Sequence, residues 1–343
     1  MHEPDRLQAA ASYCGHSNTA GANAEPTRAA ASAVAANAAA MAANAAPVPR
    51  RWRPVPFIAI SIALHAACLL AALLWPAQWP WWLAAVLGNQ ALIVALVFLP
   101  RAQALGRTVT RLPAEAAAQG WVALTFDDGP DPAVTPQVLD WLDRYQAKAS
   151  FFCIGAAVQQ HPDLLREIIA RGHSVENHSH SHSPLFAFWG GGRMRQDIEQ
   201  LQQAVHGITS TWPRFFRPTA GFRNPLLDWV LARTGLHLVM WTRRGFDTRC
   251  RSAHTVCERL LRQLAAGDIL LLHDGNAART EQGEPLVLAV LPAVLQALQD
   301  QRLQAVTLRQ GLAAWLNEAT APALPAVPHL SSGGQPPSHI RTS

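Results

Sequence analysis

The chain has 343 residues, 50% of them hydrophobic, with 28 Lys and Arg against 23 Asp and Glu. That apolar share excludes a chain disordered throughout. The net charge of +5 sits on arginines spread along the sequence, with no basic run interleaved with aromatics, so nucleic acid is not expected as a partner. The five cysteines, Cys14, Cys68, Cys153, Cys250 and Cys257, are scattered and odd in number, which excludes a disulfide framework. Cys250 and Cys257 alone could pair in an oxidising compartment.

Residues 1–49 are Ala/Asn-rich, without period and with few large apolar groups, and read as a disordered leader. Met41 is a second candidate start within it. Residues 50–111 read as a transmembrane hairpin. Its apolar runs, 57–75 and 81–99, are each long enough to cross a bilayer, and only Pro76-Ala77-Gln78-Trp79-Pro80 separates them. Trp75, Trp79, Trp81 and Trp82 resemble an interfacial aromatic belt. A buried soluble hairpin is the competing reading, but nothing else in the segment would cover it. A cleavable signal peptide fits poorly, because the first run is long, begins late and lacks a small-residue cleavage site. Arg50, Arg51 and Arg53 precede the spans, Arg101, Arg107 and Arg111 follow them, and the turn between carries no positive charge. The positive-inside rule then predicts a two-pass protein of a bacterial-type inner membrane, with both ends and the following domain in the cytoplasm. Asn89 and Gln90 are expected to bond across to the first helix.

From residue 120 to 316 the pattern changes to apolar strand candidates near 121, 149, 174, 214, 237, 269 and 304. They alternate with amphipathic stretches such as 162–171, 194–205, 225–233 and 256–265, which predicts an α/β domain of parallel strands and crossover helices. Residues 317–343, rich in Pro, Ser and Gly, read as an unstructured tail.

The first of these strands, Trp121-Val122-Ala123-Leu124, runs into Thr125-Phe126-Asp127-Asp128-Gly129-Pro130. Adjacent carboxylates repel and raise a pKa unless a cation lies between them. A metal ion is the natural candidate, although Asp128-Gly129 could be turn chemistry with Asp127 a solvated strand end. Downstream, the third strand leads to His178-Ser179-His180-Ser181-His182, whose outer histidines on a helical turn would share one face. Asp128, His178 and His182 would make a site of two nitrogens and one oxygen that suits zinc or another first-row metal and leaves positions open for water and substrate. His173 and His180 read as bystanders. Phe215-Phe216-Arg217 then supplies a guanidinium that can hold a carboxylate, with Asp127 the obvious client. Finally, Ile269-Leu270-Leu271-Leu272-His273 ends in a histidine able to donate a proton.

In this order the elements resemble the polysaccharide deacetylase, or NodB-homology, family of carbohydrate esterases over roughly residues 121–312. The resemblance implies a distorted, incomplete (β/α)7 barrel. It also implies Asp127 as general base, Asp128, His178 and His182 as metal ligands, Arg217 as orienter of the base and His273 as general acid oriented by Asp247. Ala220 would give its backbone N–H to the oxyanion, and Leu271 would line the acyl-methyl pocket. The chain departs from the family at Ala220, where a tyrosine is usual, at Arg244, where an aspartate is frequent, and at Thr248, where a tryptophan is usual. These departures spare the core chemistry but remove two aromatic rings from the substrate groove.

The function implied is hydrolysis of an N-acyl, chiefly N-acetyl, group from an amino sugar with a divalent metal, Zn2+ or alternatively Co2+. Substrate would be a membrane-proximal glycan or a glycolipid held by the lipid bilayer. Arg243 and Arg244, beside the expected site, are candidates for contacting a lipid-linked phosphate, or else belong to a solvated turn. The alternative is a non-catalytic glycan-binding relative of the same fold.

Overall fold

The computed structural model describes residues 45–320. The expected leader up to residue 44 and the tail from 321 lie outside the described residues. Helices α1 (Pro56–Leu74) and α2 (Trp79–Val97) are joined by a short turn at Pro76–Gln78, and each carries a proline in its first turn, where no backbone donor is lost. Both are long and apolar enough to cross a membrane, and the other described residues barely cover them: Leu69, Leu73 and Trp81 are 66%, 73% and 74% exposed. A core helix of a soluble domain would be covered on at least one face. Ser61 Oγ donates to Asn89 Oδ1 at 3.1 Å, and Gln90 Nε2 lies 3.1 Å from His65 Nε2, so both polar residues of the second helix bond across to the first, as expected.

The flanks of the hairpin are fastened to the domain. Arg50 N donates to Ala232 O, Trp52 Nε1 to Asp228 Oδ2, and Arg101 Nη1 to Thr242 O, while Arg111 pairs with Asp268 at 2.8 Å. From the domain side, buried Arg223 donates to Ala102 O and Thr108 Oγ1. Several arginines that the sequence offers as topology markers therefore also hold structure.

After α3 (Ala114–Ala118) come β1 (Trp121–Asp127), α4 (Thr135–Arg144), β2 (Ser150–Cys153), α5 (Gly155–Gln160), α6 (Pro162–Ala170) and β3 (Ser174–Asn177). The chain continues through α7 (Gly191–Thr209), β4 (Phe215–Phe216), α8 (Leu226–Thr234), β5 (His237–Leu238) and β6 (Arg243–Arg244). It closes with α9 (Ala253–Leu261), β7 (Ile269–His273), α10 (Leu286–Asp300), β8 (Gln304–Val306), α11 (Leu308–Gly311) and α12 (Ala313–Thr320). The last helix runs past residue 316, where the sequence placed the end of the domain. All seven expected strands are present, and the eighth, β6, stands where the sequence suggested a turn.

The strands form one curled, all-parallel half-barrel in the order β5-β4-β3-β2-β1-β7-β6, with β8 pairing to β1. Two-residue alternation divides β1: Val122, Leu124 and Phe126 pack outward under the helices, while Ala123 joins Phe152, Phe215, Val239 and Ile269 in the inner layer. The same alternation puts Thr125 and Asp127 on the inner face. In β7 it turns Leu270 and Leu272 outward and leaves Leu271 and His273 inside. The pattern that builds the core thus aims the chemical residues at the C-terminal mouth of the barrel.

Candidate active site

Asp127 and His273 end neighbouring strands and are register partners, so their side chains emerge side by side. Arg217 leaves the end of β4 completely buried. Its Nη1 donates to Asp127 Oδ1 at 2.6 Å and to Thr125 Oγ1 at 3.0 Å, and its Nε and Nη2 donate to Val239 O and Met240 O. The Phe152 ring, 4.0 Å from the guanidinium carbon, closes one face. Burial works against the charge of Arg217, and the Asp127 carboxylate answers it. Oδ1 of Asp127 is thereby committed, and Oδ2 faces the cavity, 3.9 Å from His178 Nε2.

Asp128, His178 and His182 converge beside this pair, their ligand atoms all within 4.8 Å of one another. His178 Nδ1 lies 2.7 Å from Arg217 O. A carbonyl can only accept, so Nδ1 carries the proton and Nε2 keeps its lone pair. That lone pair is 3.1 Å from Asp128 Oδ1, and His182 Nε2 is 3.0 Å from the same oxygen, which has no hydrogen-bond partner. Two imidazole nitrogens and a carboxylate oxygen brought to one point are the donor set of a divalent cation, and the residues fit that group. Burial would raise the Asp128 pKa, but when the two histidines carry protons on the facing nitrogens their hydrogen bonds and charge outweigh it and hold the carboxyl well below its usual range.

The histidine loop is not the helical turn that the four-residue spacing suggested. Residues 178–182 follow β3 without helical structure, with Ser179 at φ 65° and His182 at φ 47°. Side chains hold it instead: Asn177 Oδ1 accepts from Ser179 N, Ser179 Oγ from His182 N, and Asp197, reaching over from α7, from His180 N and Ser181 N. His173 and His180 stay outside the cluster. His173 is buried against Ala149 N, and His180 meets Gln200.

On the other wall, buried Asp247 accepts from His273 N at 2.8 Å and lies 2.8 Å from His273 Nδ1. Burial opposes protonation of His273, but Asp247, with Asp127 and Asp128 behind it, raises the pKa above the ordinary imidazole value. Nδ1–H is held by the carboxylate, and Nε2 is left for the cavity. Leu271, His273, Ala220 and Trp241 line that cavity of about 270 Å³ with Asp127, Asp128 and the two histidines. Ala220 occupies a left-handed conformation, φ 55°, in the short turn Thr219–Gly221.

Sequence reasoning missed several residues. Asp274 is buried behind the aspartate pair, accepting from Thr135 Oγ1 at 2.6 Å; burial, followed by the nearby carboxylates, pushes its pKa up to about 7. It packs so tightly on Gly129 that a Cβ there would stand 2.1 Å from Asp274 Oδ2, which explains the glycine after the aspartates. Asn276 and Arg249 also line the cavity, and only their nearness to motif residues could have marked them. Cys250 and Cys257, offered as a pair by the sequence, are free thiols.

Arg243 and Arg244 part company. Strand alternation turns Arg243 away, onto Asp268 and the carbonyls of Arg262 and Gln263, so it is spent on structure and is not available to a ligand. Arg244 turns inward to the cavity, over the rings of Trp241 and Phe246 at 5.0 Å each.

Fold and site together define the class: a parallel α/β hydrolase with a candidate divalent-metal site at the barrel mouth. The sequence model of the polysaccharide deacetylase family matches residues 114–239. A peptidoglycan-N-acetylglucosamine deacetylase of Bacillus cereus is 32% identical over 192 residues, 55% of this chain and 86% of that one. A chitooligosaccharide deacetylase of Sinorhizobium fredii is 34% identical, covering 57% of this chain and 92% of that protein. The solved peptidoglycan deacetylase PdaC of Bacillus subtilis superposes with a TM-score of 0.51 at 30% identity, over 58% of this chain and 91% of the solved chain; the matched region is 41% of full-length PdaC. The chain therefore belongs to the polysaccharide deacetylase family, whose members are hydrolases of amide C–N bonds that use a divalent metal.

Proposed function

We propose that this protein removes an N-acyl group, chiefly acetyl, from an amino sugar in a membrane-proximal or lipid-linked glycan. The observation that carries the reading is the division of labour between adjacent aspartates. Asp127 is gripped by Arg217 with one oxygen facing the cavity, while Asp128 points at two imidazole lone pairs. A divalent metal held by Asp128, His178 and His182 would polarise the amide carbonyl and acidify a water molecule.

Asp127 Oδ2 takes the proton of the attacking water, and Arg217 keeps that carboxylate ionised and oriented. The backbone N–H of Ala220 donates to the developing oxyanion, a role that needs no particular side chain and tolerates the loss of the family's tyrosine. Leu271 receives the acyl methyl group. His273, protonated and fixed by Asp247, gives its Nε2 proton to the departing amine as the C–N bond breaks.

The domain layout we infer is a hairpin anchor within 50–111 followed by a catalytic domain from about 120 to 316. The exposed apolar helices support a two-pass anchor in the inner membrane, and the arginine flanks support a cytoplasmic catalytic face. An alkaline phosphatase fusion after Leu316 should be inactive in that arrangement; an active one overturns it.

Acetate release from N-acetylglucosamine oligomers and N-acetylated glycolipids, with Zn2+ or Co2+ supplied and then chelated, tests the chemistry. Metal-dependent release that falls about 10²–10⁴-fold in His273→Ala is expected. Metal binding without release from any substrate would favour the glycan-binding alternative.

A further inference from the structure

A second cavity, about 710 Å³, opens beside the first and shares Ala220, Trp241, Arg244 and Arg249 with it. Arg101, Arg243, Arg244, Arg249, Arg259 and Arg262 contribute to its lining, and among the described residues no carboxylate does. Arg101, Arg249, Arg259 and Arg262 are exposed to solvent, Arg243 on the same wall is spent on Asp268, and Arg244 is the one drawn inward, towards the charge of Asp127, Asp247 and Asp128. Arg101 and Arg259 each donate once, to the carbonyls of Thr242 and Gly245, which leaves most of their donors unused. Arg244 is half-buried with its Nε out of solvent and no acceptor within reach. A buried donor without an acceptor is costly, so Arg244 points to an acceptor that the described residues do not supply at its Nε. Planar, fork-shaped guanidiniums pair best with carboxylate or phosphate oxygens.

The other wall identifies the source of that anion. Phe98 and Pro100, the residues that leave the second apolar helix, line the same cavity, and the Phe98 ring meets Phe222 edge-on at 5.3 Å. Gly221, at φ 81°, is pressed between Pro100 and Trp241, where a Cβ would stand 2.7 Å from the indole. The groove therefore runs from the reacting amide to the foot of a helix able to enter a bilayer. In a 2-acylamino sugar the amide and the anomeric oxygen sit on adjacent ring carbons. A phosphate on the anomeric position would fall beside the amide, where Arg244 and Arg249 face both cavities.

We propose that this groove binds the phosphate or diphosphate joining the N-acylated amino sugar to a membrane lipid. Substrate would then be a glycosyl (di)phospholipid rather than a neutral polymer. This rests on the deacetylase reading and narrows its substrate class.

The test uses the full chain in phosphatidylcholine nanodiscs, with polyprenyl-diphosphate N-acetylglucosamine in the bilayer or neutral N-acetylglucosamine oligomers in solution. The wild type should hydrolyse the glycolipid with the higher kcat/KM. Arg244→Gln and Arg249→Gln should each cut the glycolipid-to-oligomer ratio of kcat/KM about tenfold, chiefly through KM, with partial rescue in Arg244→Lys. Equal losses on both substrates, or a wild type that prefers the neutral oligomer, overturn the proposal. A binding arm on Asp127→Asn separates the two readings. Glycolipid binding that depends on the arginines, with no turnover in the wild type, sinks the deacetylase reading and keeps this one. Turnover of neutral sugars with no arginine-dependent glycolipid binding does the reverse. Phosphatidylglycerol nanodiscs or free inorganic pyrophosphate that block binding as well as the glycolipid would show a generic headgroup or phosphate site and overturn the assignment to substrate.

Discussion

Arg217 lies buried behind the cavity, against Asp127, and Arg244 lines it, and their surroundings differ in kind. On the wall built by β1, β3 and β4, each nitrogen of Arg217 that can donate has a protein acceptor, and Asp127 is locked by it. On the wall built by β6 and the loop after it, Arg244 lies over two aromatic rings, and its buried Nε has no acceptor. Arg217 is satisfied without a ligand, as a preorganised catalytic support should be. Arg244 is not, as a group on a binding surface should be. An arginine's role is read from what satisfies it, and its distance from the reaction is the poorer guide.

The largest effect that would test this contrast is expected at Arg217. Arg217→Met leaves Asp127 buried beside no cation, a loss of about 3–5 kcal/mol, or roughly 10 °C in Tm for a domain of this size. Activity should vanish as well. Arg244→Met should leave Tm within a few degrees of wild type, since it breaks no protein hydrogen bond, and thermal unfolding of the two variants compares them directly. If both variants melt alike, the contrast between the walls is broken.

A smaller effect concerns the acid. Because the pKa of His273 is raised, the general acid persists to higher pH than an ordinary imidazole would and is lost as pH rises through that raised value. Asp247→Asn removes the supporting charge, so the alkaline limb of the kcat profile should move to lower pH. A limb that stays in place would assign it to another group.

The smallest effect lies away from the site. Burial, then Lys148, lowers the pKa of His173 from 6.5 to about 4. The folded state thus binds fewer protons than the unfolded state between those values, and stability is full above pH 6.5 and declines as pH falls towards 4. His173→Gln should flatten that decline by on the order of 2 kcal/mol, measured by denaturant unfolding at pH 7 and pH 4.5.

Much of this was legible in the sequence because strand alternation is strict. The even residues of β1 are apolar and the strand ends in two carboxylates, so Asp127 had to face the interior mouth. Arg217, His273 and Asp247 fall where the order of motifs placed them. The histidine loop was legible only as a ligand pair. Its shape depends on Asn177, two residues from the N–H it caps, and on Asp197, whose bonds to His180 N and Ser181 N span 17 and 16 residues and are encoded by no local spacing. The fates of Arg243 and Arg244 were hidden for a related reason. A two-residue strand leaves no periodic signal, yet its alternation decides which arginine is spent on Asp268 and which reaches the cavity. Phe246, at φ 61° and 47% exposed, supplies an aromatic surface near the place where Thr248 lacks one, and a left-handed phenylalanine is not something a sequence announces.

The division of labour between the adjacent aspartates is tested most directly by metal content. Purified Asp127→Asn and Asp128→Asn, each loaded with Zn2+ and desalted, would be assayed by elemental analysis alongside acetate release. Asp127→Asn should retain about one equivalent of metal per chain with no turnover, and Asp128→Asn should retain almost none. Loss of metal from Asp127→Asn, or metal and turnover both surviving in Asp128→Asn, would contradict the assignment of base and ligand.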